Sequence, residues 1–143
     1  MAWVVDTCVL LDVLLNDVNF CETSTQCLEV HISAGIIISP IVYVELAPQF
    51  AGNRTLQDEF LDDYGIIAAD AWTAADTAAA HALWSAIAVK RKADKLPRRP
   101  VADVLIAAFA ARFQGLITRN VEDFRKVAPG LTLVDAAAFT TSP

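Results

Sequence analysis

The sequence has few of the residues that build disulfide frameworks or thiolate metal sites. Its 143 residues include three cysteines and two histidines. Cys8, Cys21 and Cys27 form neither an even set nor a CxxC pair, and the two histidines, His31 and His81, lie far apart in sequence. These absences argue against a disulfide scaffold and against a zinc site built from cysteine thiolates.

Long apolar runs and a basic leader are also missing. No apolar stretch approaches the roughly 20 residues that a membrane-spanning helix needs. The opening residues, MAWVVD, lack the positive region that begins a secretory signal. The chain shows no repeat or long linker, and 55% of its residues are hydrophobic, which is enough for a substantial core. We therefore expect one cytoplasmic domain over residues 1–143, without a membrane segment.

Positive charge is scarce overall but concentrated in one place. The net charge of -6 repels phosphate groups at long range. Six of the 11 lysines and arginines nevertheless fall within KRKADKLPRR, and we call these six the basic segment: Lys90, Arg91, Lys92, Lys95, Arg98 and Arg99. The basic segment is either a solvated helix end or a contact surface for a polyanion.

Short apolar runs alternate with longer helical patterns along the chain. The runs AWVVD, GIII, GIIAA, GLIT and LTLV are typical of strands, and three of them begin with glycine, which is common just after a helix. Ser39 and Pro40 are typical of a helix start, and an alanine-rich stretch after residue 72 predicts a long helix. This alternation predicts an α/β fold with helices on both faces of a parallel sheet.

Acidic residues occur where such a sheet binds ligands, beyond the carboxyl ends of its strands. Asp6 ends the first predicted strand, and Glu45 lies early in the helix after GIIIS. Asp103 shares a helix face with the apolar residues that follow it at helical spacing. The three carboxylates are therefore expected to converge at one end of one sheet.

Each acid also has a simpler explanation when it is taken alone. Asp6 terminates a strand, Glu45 pairs with an arginine, or Asp103 favours a helix N-terminus. Taken together, crowded carboxylates raise one another's pKa and repel unless a cation lies between them. Oxygen ligands without a nearby histidine or cysteine suit a hard cation such as Mg²⁺ or Mn²⁺. Such a site activates water and neutralises charge on a phosphodiester.

The order and spacing of these motifs resemble the PIN-domain ribonucleases, in particular the VapC-type toxins of bacterial toxin–antitoxin pairs. The resemblance runs through VVDTCVLLDVL, SPIVYVELA, PVADVLIAAFAARF and GLITRNVEDFRKVAPGLTLVD, and so covers nearly the whole chain. It implies a PIN-like three-layer α/β/α fold whose parallel central sheet has about four to five strands.

The resemblance also implies residue roles. Asp6, Glu45 and Asp103 are expected to be catalytic acids that hold Mg²⁺ or Mn²⁺. Family members place a fourth acid in the TRNxxDF segment, some at the position of Asn120 and others at that of Asp123. Asp123 is the only acid of the two in this chain, so the fourth role falls to it.

Polar residues beside the acids are expected to support them. Thr7 and Thr118 match hydroxyl positions with this role in the family, and Asn120 either orients water at the site or caps the following turn. The family commonly has asparagine or serine after the DT pair, where this chain has Cys8. A thiol is a weaker hydrogen-bond partner, although Cys8 is also small enough to be a core residue.

The resemblance implies a Mg²⁺-dependent endoribonuclease, the toxin of a type II toxin–antitoxin system, which hydrolyses RNA phosphodiesters with a metal-activated water. The basic segment is then expected to bind the RNA backbone, and a VapB-like antitoxin and a homodimer are the implied assemblies. Two alternatives stay open. The acids do not distinguish the sugar of RNA from that of DNA. The protein is therefore alternatively a metal-dependent nuclease or phosphatase acting on another phosphoester. It is otherwise a catalytically impaired module that binds RNA or a partner.

Overall fold

A parallel five-stranded sheet organises the fold. The structure is a computed structural model that describes residues 1–94 and 100–139, with side chains for 1–89 and 100–139. The strand order is β3-β2-β1-β4-β5, and every neighbouring pair is parallel. The strands are β1 (Trp3–Val5), β2 (Ile36–Ile37), β3 (Ile66–Ile67), β4 (Gly115–Thr118) and β5 (Leu133–Asp135). The predicted α/β class and the predicted strand number are confirmed.

Helices connect the strands and flank the sheet, which gives the predicted three-layer α/β/α arrangement. Two short 3₁₀ helices lie at Ile32–Ala34 and Ala47–Phe50. The α-helices are α1 (Thr7–Leu14), α2 (Cys21–His31), α3 (Pro40–Leu46), α4 (Arg54–Asp63), α5 (Ala74–Asp94), α6 (Val101–Ala110) and α7 (Val121–Val127). Within 1–94 and 100–139, no helix is both long and apolar enough to cross a bilayer.

Polar residues start the helices that leave the carboxyl edge of the sheet. Asp6 follows β1 and caps α1, because its Oδ1 accepts a hydrogen bond of 2.8 Å from the Thr7 amide. Ser39 caps α3 in the same way, accepting from the Val42 amide at 3.2 Å, and Pro40 takes the first helical position. Both N-caps use a short oxygen-bearing side chain to satisfy an amide that lacks a helical partner.

Burial on both faces of the central strands explains their continuous apolar sequence. Val4 and Val5 of β1 and Leu116 and Ile117 of β4 are fully buried. A parallel sheet covered by helices on both sides has no solvent face, so its strands do not alternate apolar with polar residues.

Two kinds of glycine precede or begin the strands. Gly35 and Gly65 come just before β2 and β3 with φ of 93° and 67°, a left-handed conformation that matches the expectation for a helix end. Gly115 lies inside β4 and has a different cause. A side chain there would meet the backbone carbonyl of Thr132 and the ring of Trp3. Close packing of backbone, rather than helix termination, requires this third glycine.

The topology fixes where a ligand site belongs. From β1 the chain first builds β2 and β3 on one side, and then returns to add β4 and β5 on the other. The order therefore reverses between β1 and β4, and in open α/β sheets the crevice at such a reversal, beyond the carboxyl ends of the strands, is the usual binding site.

Candidate active site

Asp6 lies at this reversal, directly after β1. Its side chain is only 5% exposed. Oδ1 accepts from the Thr7 amide, while Oδ2 accepts from the Thr118 hydroxyl at 2.8 Å and from the Cys8 thiol at 3.3 Å. The three donors hold the carboxylate in one orientation at the edge of the sheet.

The pKa of Asp6 is raised above its usual value. Burial is the main cause, since it disfavours the charged carboxylate. The hydrogen bonds from Thr118, Cys8 and Thr7 and the positive charge of Arg119 oppose this effect without cancelling it. An additional positive charge at this position would therefore stabilise the ionised form.

Glu45 reaches the site from α3. Its side chain is exposed, and its Oε1 accepts a hydrogen bond of 2.9 Å from the Thr7 hydroxyl. Thr7 thus contacts two acids, since its amide donates to Asp6 and its hydroxyl to Glu45. This single residue connects the start of α1 with α3.

Asp103 lies in the first turn of α6 and is partly buried. Burial raises its pKa to about 6, with further contributions from the negative charges of Asp6, Asp123 and Glu45, in that order. Asp103 therefore lies within electrostatic range of the other three acids selected from the sequence. Among the residues that it describes, the charged groups acting on Asp103 are acids.

Asp123 and Asn120 differ in how they meet the site. Asp123 is exposed in the first turn of α7, and its charge acts on Asp103. Asn120 is the N-cap residue of α7, yet within the described residues its side chain makes no cap hydrogen bond. Its amide instead donates to the Thr118 hydroxyl at 2.9 Å. Asn120 therefore supports Thr118 through its backbone.

The thiol of Cys8 lies inside the acid cluster, although the sequence pattern suggested donors without a nearby cysteine. Besides donating to Asp6, its sulfur accepts from the Arg119 amide at 3.5 Å. Burial raises the pKa of Cys8 to about 12, assisted by the charge of Asp6. The side chain is therefore a neutral thiol that serves as a hydrogen-bond partner of Asp6.

The donor chemistry fits a hard divalent cation. Across 1–94 and 100–139, no three His, Cys, Asp or Glu side chains lie close enough to form a ready-made metal-binding group. The acids near Asp103 nevertheless raise its pKa through their mutual repulsion, which a cation between them would relieve. Carboxylate oxygens are the ligands that Mg²⁺ and Mn²⁺ prefer.

Sequence reasoning missed an ion pair beside the site. Arg119 follows Thr118 and contacts Asp12 of α1 through two bonds, Nε to Oδ2 at 2.6 Å and Nη2 to Oδ1 at 2.8 Å. Asp12 is 3% exposed and also accepts from the Ser24 hydroxyl at 2.8 Å. A signal was present, because Asp12 interrupts the apolar run VLLDVLL much as Asp6 ends its own run.

The basic segment remains a prediction from sequence. Residues 95–99 lie outside the part of the chain that the structure describes, and so do the side chains of residues 90–94. The predicted roles of Lys90, Arg91, Lys92, Lys95, Arg98 and Arg99 in RNA binding therefore rest on the charge pattern alone.

Comparison with known proteins identifies the family. The family model for the PIN domain matches residues 3–129, which is most of the chain. The protein belongs to the PIN domain family, whose members are nucleases. No curated protein matches the sequence.

Solved structures share the fold at low sequence identity. VapBC2 from Rickettsia felis, bound to a DNA fragment from its promoter, is 20% identical with a TM-score of 0.68, over 94% of this chain and 98% of that one. FitAB bound to an IR36 DNA fragment is 17% identical with a TM-score of 0.70, over 96% and 97%. A toxin–antitoxin complex from Klebsiella pneumoniae is 20% identical with a TM-score of 0.61, over 94% and 98%.

Proposed function

We propose that the protein is a divalent-metal-dependent endoribonuclease with a catalytic centre formed by Asp6, Glu45, Asp103 and Asp123. The observation that carries this proposal is the environment of Asp103, whose pKa is raised to about 6 by burial and by three neighbouring acids. Acids that are forced together in this way are typical of functional sites. Membership of a nuclease family supports phosphodiester hydrolysis as the chemistry.

The four carboxylates are the proposed ligands of Mg²⁺ or Mn²⁺. When bound, the cation would supply neutralisation of phosphate charge and activation of water. Glu45 and Asp123 are exposed, so their side chains can turn toward a cation without repacking of the core. Asp6 is held by three hydrogen-bond donors and provides the fixed point of the site.

Neighbouring residues of the chain keep these acids oriented. Thr118 and Cys8 both donate to Oδ2 of Asp6, and this favours the ionised carboxylate that a cation requires. Thr7 holds Glu45 through its hydroxyl. Such outer hydrogen bonds fix the direction of a metal ligand, and their loss typically weakens metal affinity by about 10–100-fold.

RNA is the proposed substrate, and the toxin of a type II toxin–antitoxin pair is the proposed biological role. The basic segment, placed just before Asp103 in sequence, supports binding of a nucleic acid backbone. Structural likeness to VapBC2 and to a protein described as a toxin–antitoxin complex supports a VapB-like antitoxin as inhibitor. A homodimer, a single domain over 1–143 and a cytoplasmic location are parts of the same proposal.

Cleavage assays on purified protein test the proposal. Structured RNAs and DNAs of matched sequence are incubated with wild-type protein in Mg²⁺ and in EDTA, alongside Asp103→Asn and the control Asp62→Asn. Asp62 is an exposed acid of α4 and is not among the charges that act on Asp103, so its amide variant makes the same chemical change outside the proposed site. We expect wild type and Asp62→Asn to cleave RNA in Mg²⁺, whereas EDTA or Asp103→Asn abolishes cleavage.

Other outcomes redirect the assignment. Preferential cleavage of DNA or of a phosphomonoester would support the alternative phosphoesterase. Tight RNA binding without turnover in any divalent metal would support the impaired binding module. RNA cleavage that survives both EDTA and Asp103→Asn would overturn the acid site itself.

A further inference from the structure

The Asp12–Arg119 ion pair lies beside the acids without touching them directly. Arg119 sits between Thr118, which donates to Asp6, and Asn120, which begins the turn into α7. Its guanidinium points to Asp12 of α1, with Nε–Oδ2 and Nη2–Oδ1 distances of 2.6 and 2.8 Å. A planar guanidinium that makes two parallel bonds to a carboxylate fixes both partners in angle as well as distance.

Further contacts make the pair rigid. Ser24 of α2 donates at 2.8 Å to Oδ2 of Asp12, the same buried oxygen that accepts from Arg119 Nε. The Arg119 guanidinium carbon lies 4.2 Å from the centroid of the Phe20 ring, at the start of α2. The Arg119 amide also donates to the Cys8 sulfur at 3.5 Å. The turn after β4 is thereby attached to both α1 and α2.

Two of these contacts hold the turn after β4 at separate points of α1. Asp6 caps α1, and Asp12 lies six residues further along, which is about 9 Å at the helical rise. Thr118 bonds the first of these acids and Arg119 the second. Because adjacent residues hold two separated points of a rigid helix, the turn cannot rotate about α1 without breaking one of the two contacts.

We infer that the Asp12–Arg119 pair positions the segment 118–123 on α1, so that Asp123 stays within electrostatic range of Asp103. Asp12 and Arg119 are positioning residues in this account, since neither side chain contacts the cluster acids in the structure. The inference rests on the proposed metal-dependent function, because its consequence is a preformed arrangement of metal ligands.

A second ion pair of the same kind provides a matched control. Arg112 contacts Asp76 through Nε–Oδ1 and Nη2–Oδ2 distances of 2.6 and 2.9 Å. Asp76 is fully buried like Asp12, and the two arginines are 31% and 24% exposed. Arg112 follows the C-terminal end of α6, whereas Asp103 lies in its first turn. Seven residues of helical rise, about 10 Å, therefore separate Asp103 from the end of α6, and Arg112 lies beyond that end.

The test compares Arg119→Lys with Arg112→Lys. Each change keeps the positive charge but removes the two-bonded geometry, so we expect similar losses of thermal stability. Mn²⁺ binding is then measured by calorimetry, and amide hydrogen exchange at Asn120 is measured in EDTA. We expect Arg119→Lys to weaken Mn²⁺ binding about tenfold and to speed exchange at Asn120, whose amide bonds Thr118. Arg112→Lys should leave both within about twofold of wild type, a margin set by the scatter expected of variants distant from a site.

The two measurements separate the possible failures. Unchanged amide exchange at Asn120 in Arg119→Lys would overturn the inference, whatever the Mn²⁺ affinity of the variant. Faster exchange with unchanged Mn²⁺ affinity would overturn the role in metal binding. Equal effects of the two lysine variants would show a loss of general stability and would also overturn it. Absence of saturable Mn²⁺ binding in wild type would refute the proposed function, while exchange at Asn120 would still decide whether the pair holds the segment.

Discussion

The hydroxyl of Thr118 donates a 2.8 Å hydrogen bond to Asp6 across 112 positions of sequence. The bond joins the carboxyl ends of β1 and β4, which pair in parallel with Val5 opposite Ile117. The same hydroxyl accepts from the Asn120 amide at 2.9 Å. The Thr118 side chain therefore links the ends of the two central strands to Asp6 and to the start of α7.

Replacement of this hydroxyl tests the connection. Thr118→Val keeps the shape of the side chain but leaves a buried oxygen of Asp6 with one donor fewer, at a cost of about 1–3 kcal/mol. Thr118→Ser keeps the donor and loses only a methyl group, so its loss of stability should be smaller. Urea unfolding of both variants in EDTA provides the comparison. Equal losses from valine and serine would mean that the hydrogen bond contributes little.

The pH dependence of stability follows from the raised pKa of Asp103. The folded-state pKa is about 6 against a usual value of 3.8, so the folded protein holds the proton more tightly than the unfolded chain. The stability gained from that proton is complete below the unfolded value and is lost as the pH rises through about 6. Metal-free wild type should therefore lose stability between pH 4 and 7, and the raised pKa of Asp6 acts in the same direction.

Asp103→Asn isolates the contribution of Asp103 to this dependence. The amide does not ionise, so the variant should lose less stability than wild type over the same pH range. Unfolding free energies in EDTA at several pH values give the two curves. A parallel pair of curves would contradict the assigned cause, as would a wild type that gains stability on the alkaline side.

Much of the fold was predictable because its signals are local. Ser39 and Pro40 mark the start of α3, and Asp6 marks both the end of β1 and the cap of α1. The apolar runs predicted the strands, because strands of a parallel sheet buried on both faces do not alternate apolar with polar residues. The acids could be placed at one edge because carboxyl ends of parallel strands share an edge.

Contacts between distant segments were not predictable by the same reasoning. Arg119 and Asp12 are separated by 107 positions, and neither lies in a local sequence pattern from which the other could be predicted. Gly115 was expected to be a glycine that follows a helix end, and this reason was wrong. The residue is required because Thr132 and Trp3 approach it closely in three dimensions. Asn120 has the residue type of an N-cap, yet its contribution comes from its backbone amide.

Asp123 and Asn120 compete for the fourth position of the site. Asp123 supplies a negative charge that acts on Asp103, whereas the Asn120 amide needs no particular side chain to bond Thr118. We therefore expect Asp123→Asn to lower apparent Mg²⁺ affinity or the cleavage rate by roughly 10-fold or more, and Asn120→Ala to have the smaller effect. Activity titrated against Mg²⁺ in both variants ranks them. A larger loss from Asn120→Ala would reverse the assignment.

The proposed role of the basic segment leads to a quantitative prediction for the salt dependence of RNA binding. If Arg98 and Arg99 contact backbone phosphates, each contact releases counterions, and removal of one flattens the slope of log K against log salt by about 0.7 for a single strand. Arg98→Ala with Arg99→Ala should therefore weaken RNA binding and flatten the slope by about 1.4, while apparent Mg²⁺ affinity stays near wild type.

A charge-preserving control separates electrostatic attraction from other roles of these arginines. The matched variant, Arg98→Lys with Arg99→Lys, keeps both positive charges and should retain most of the salt dependence, because counterion release follows charge. Binding is measured to uncleaved RNA with Asp103→Asn as the background in every case, so that turnover does not distort the affinities. If the alanine pair binds RNA with wild-type affinity and slope, these arginines are solvated or serve an acidic partner. Guidance of substrate to the acids would then have to come from another surface.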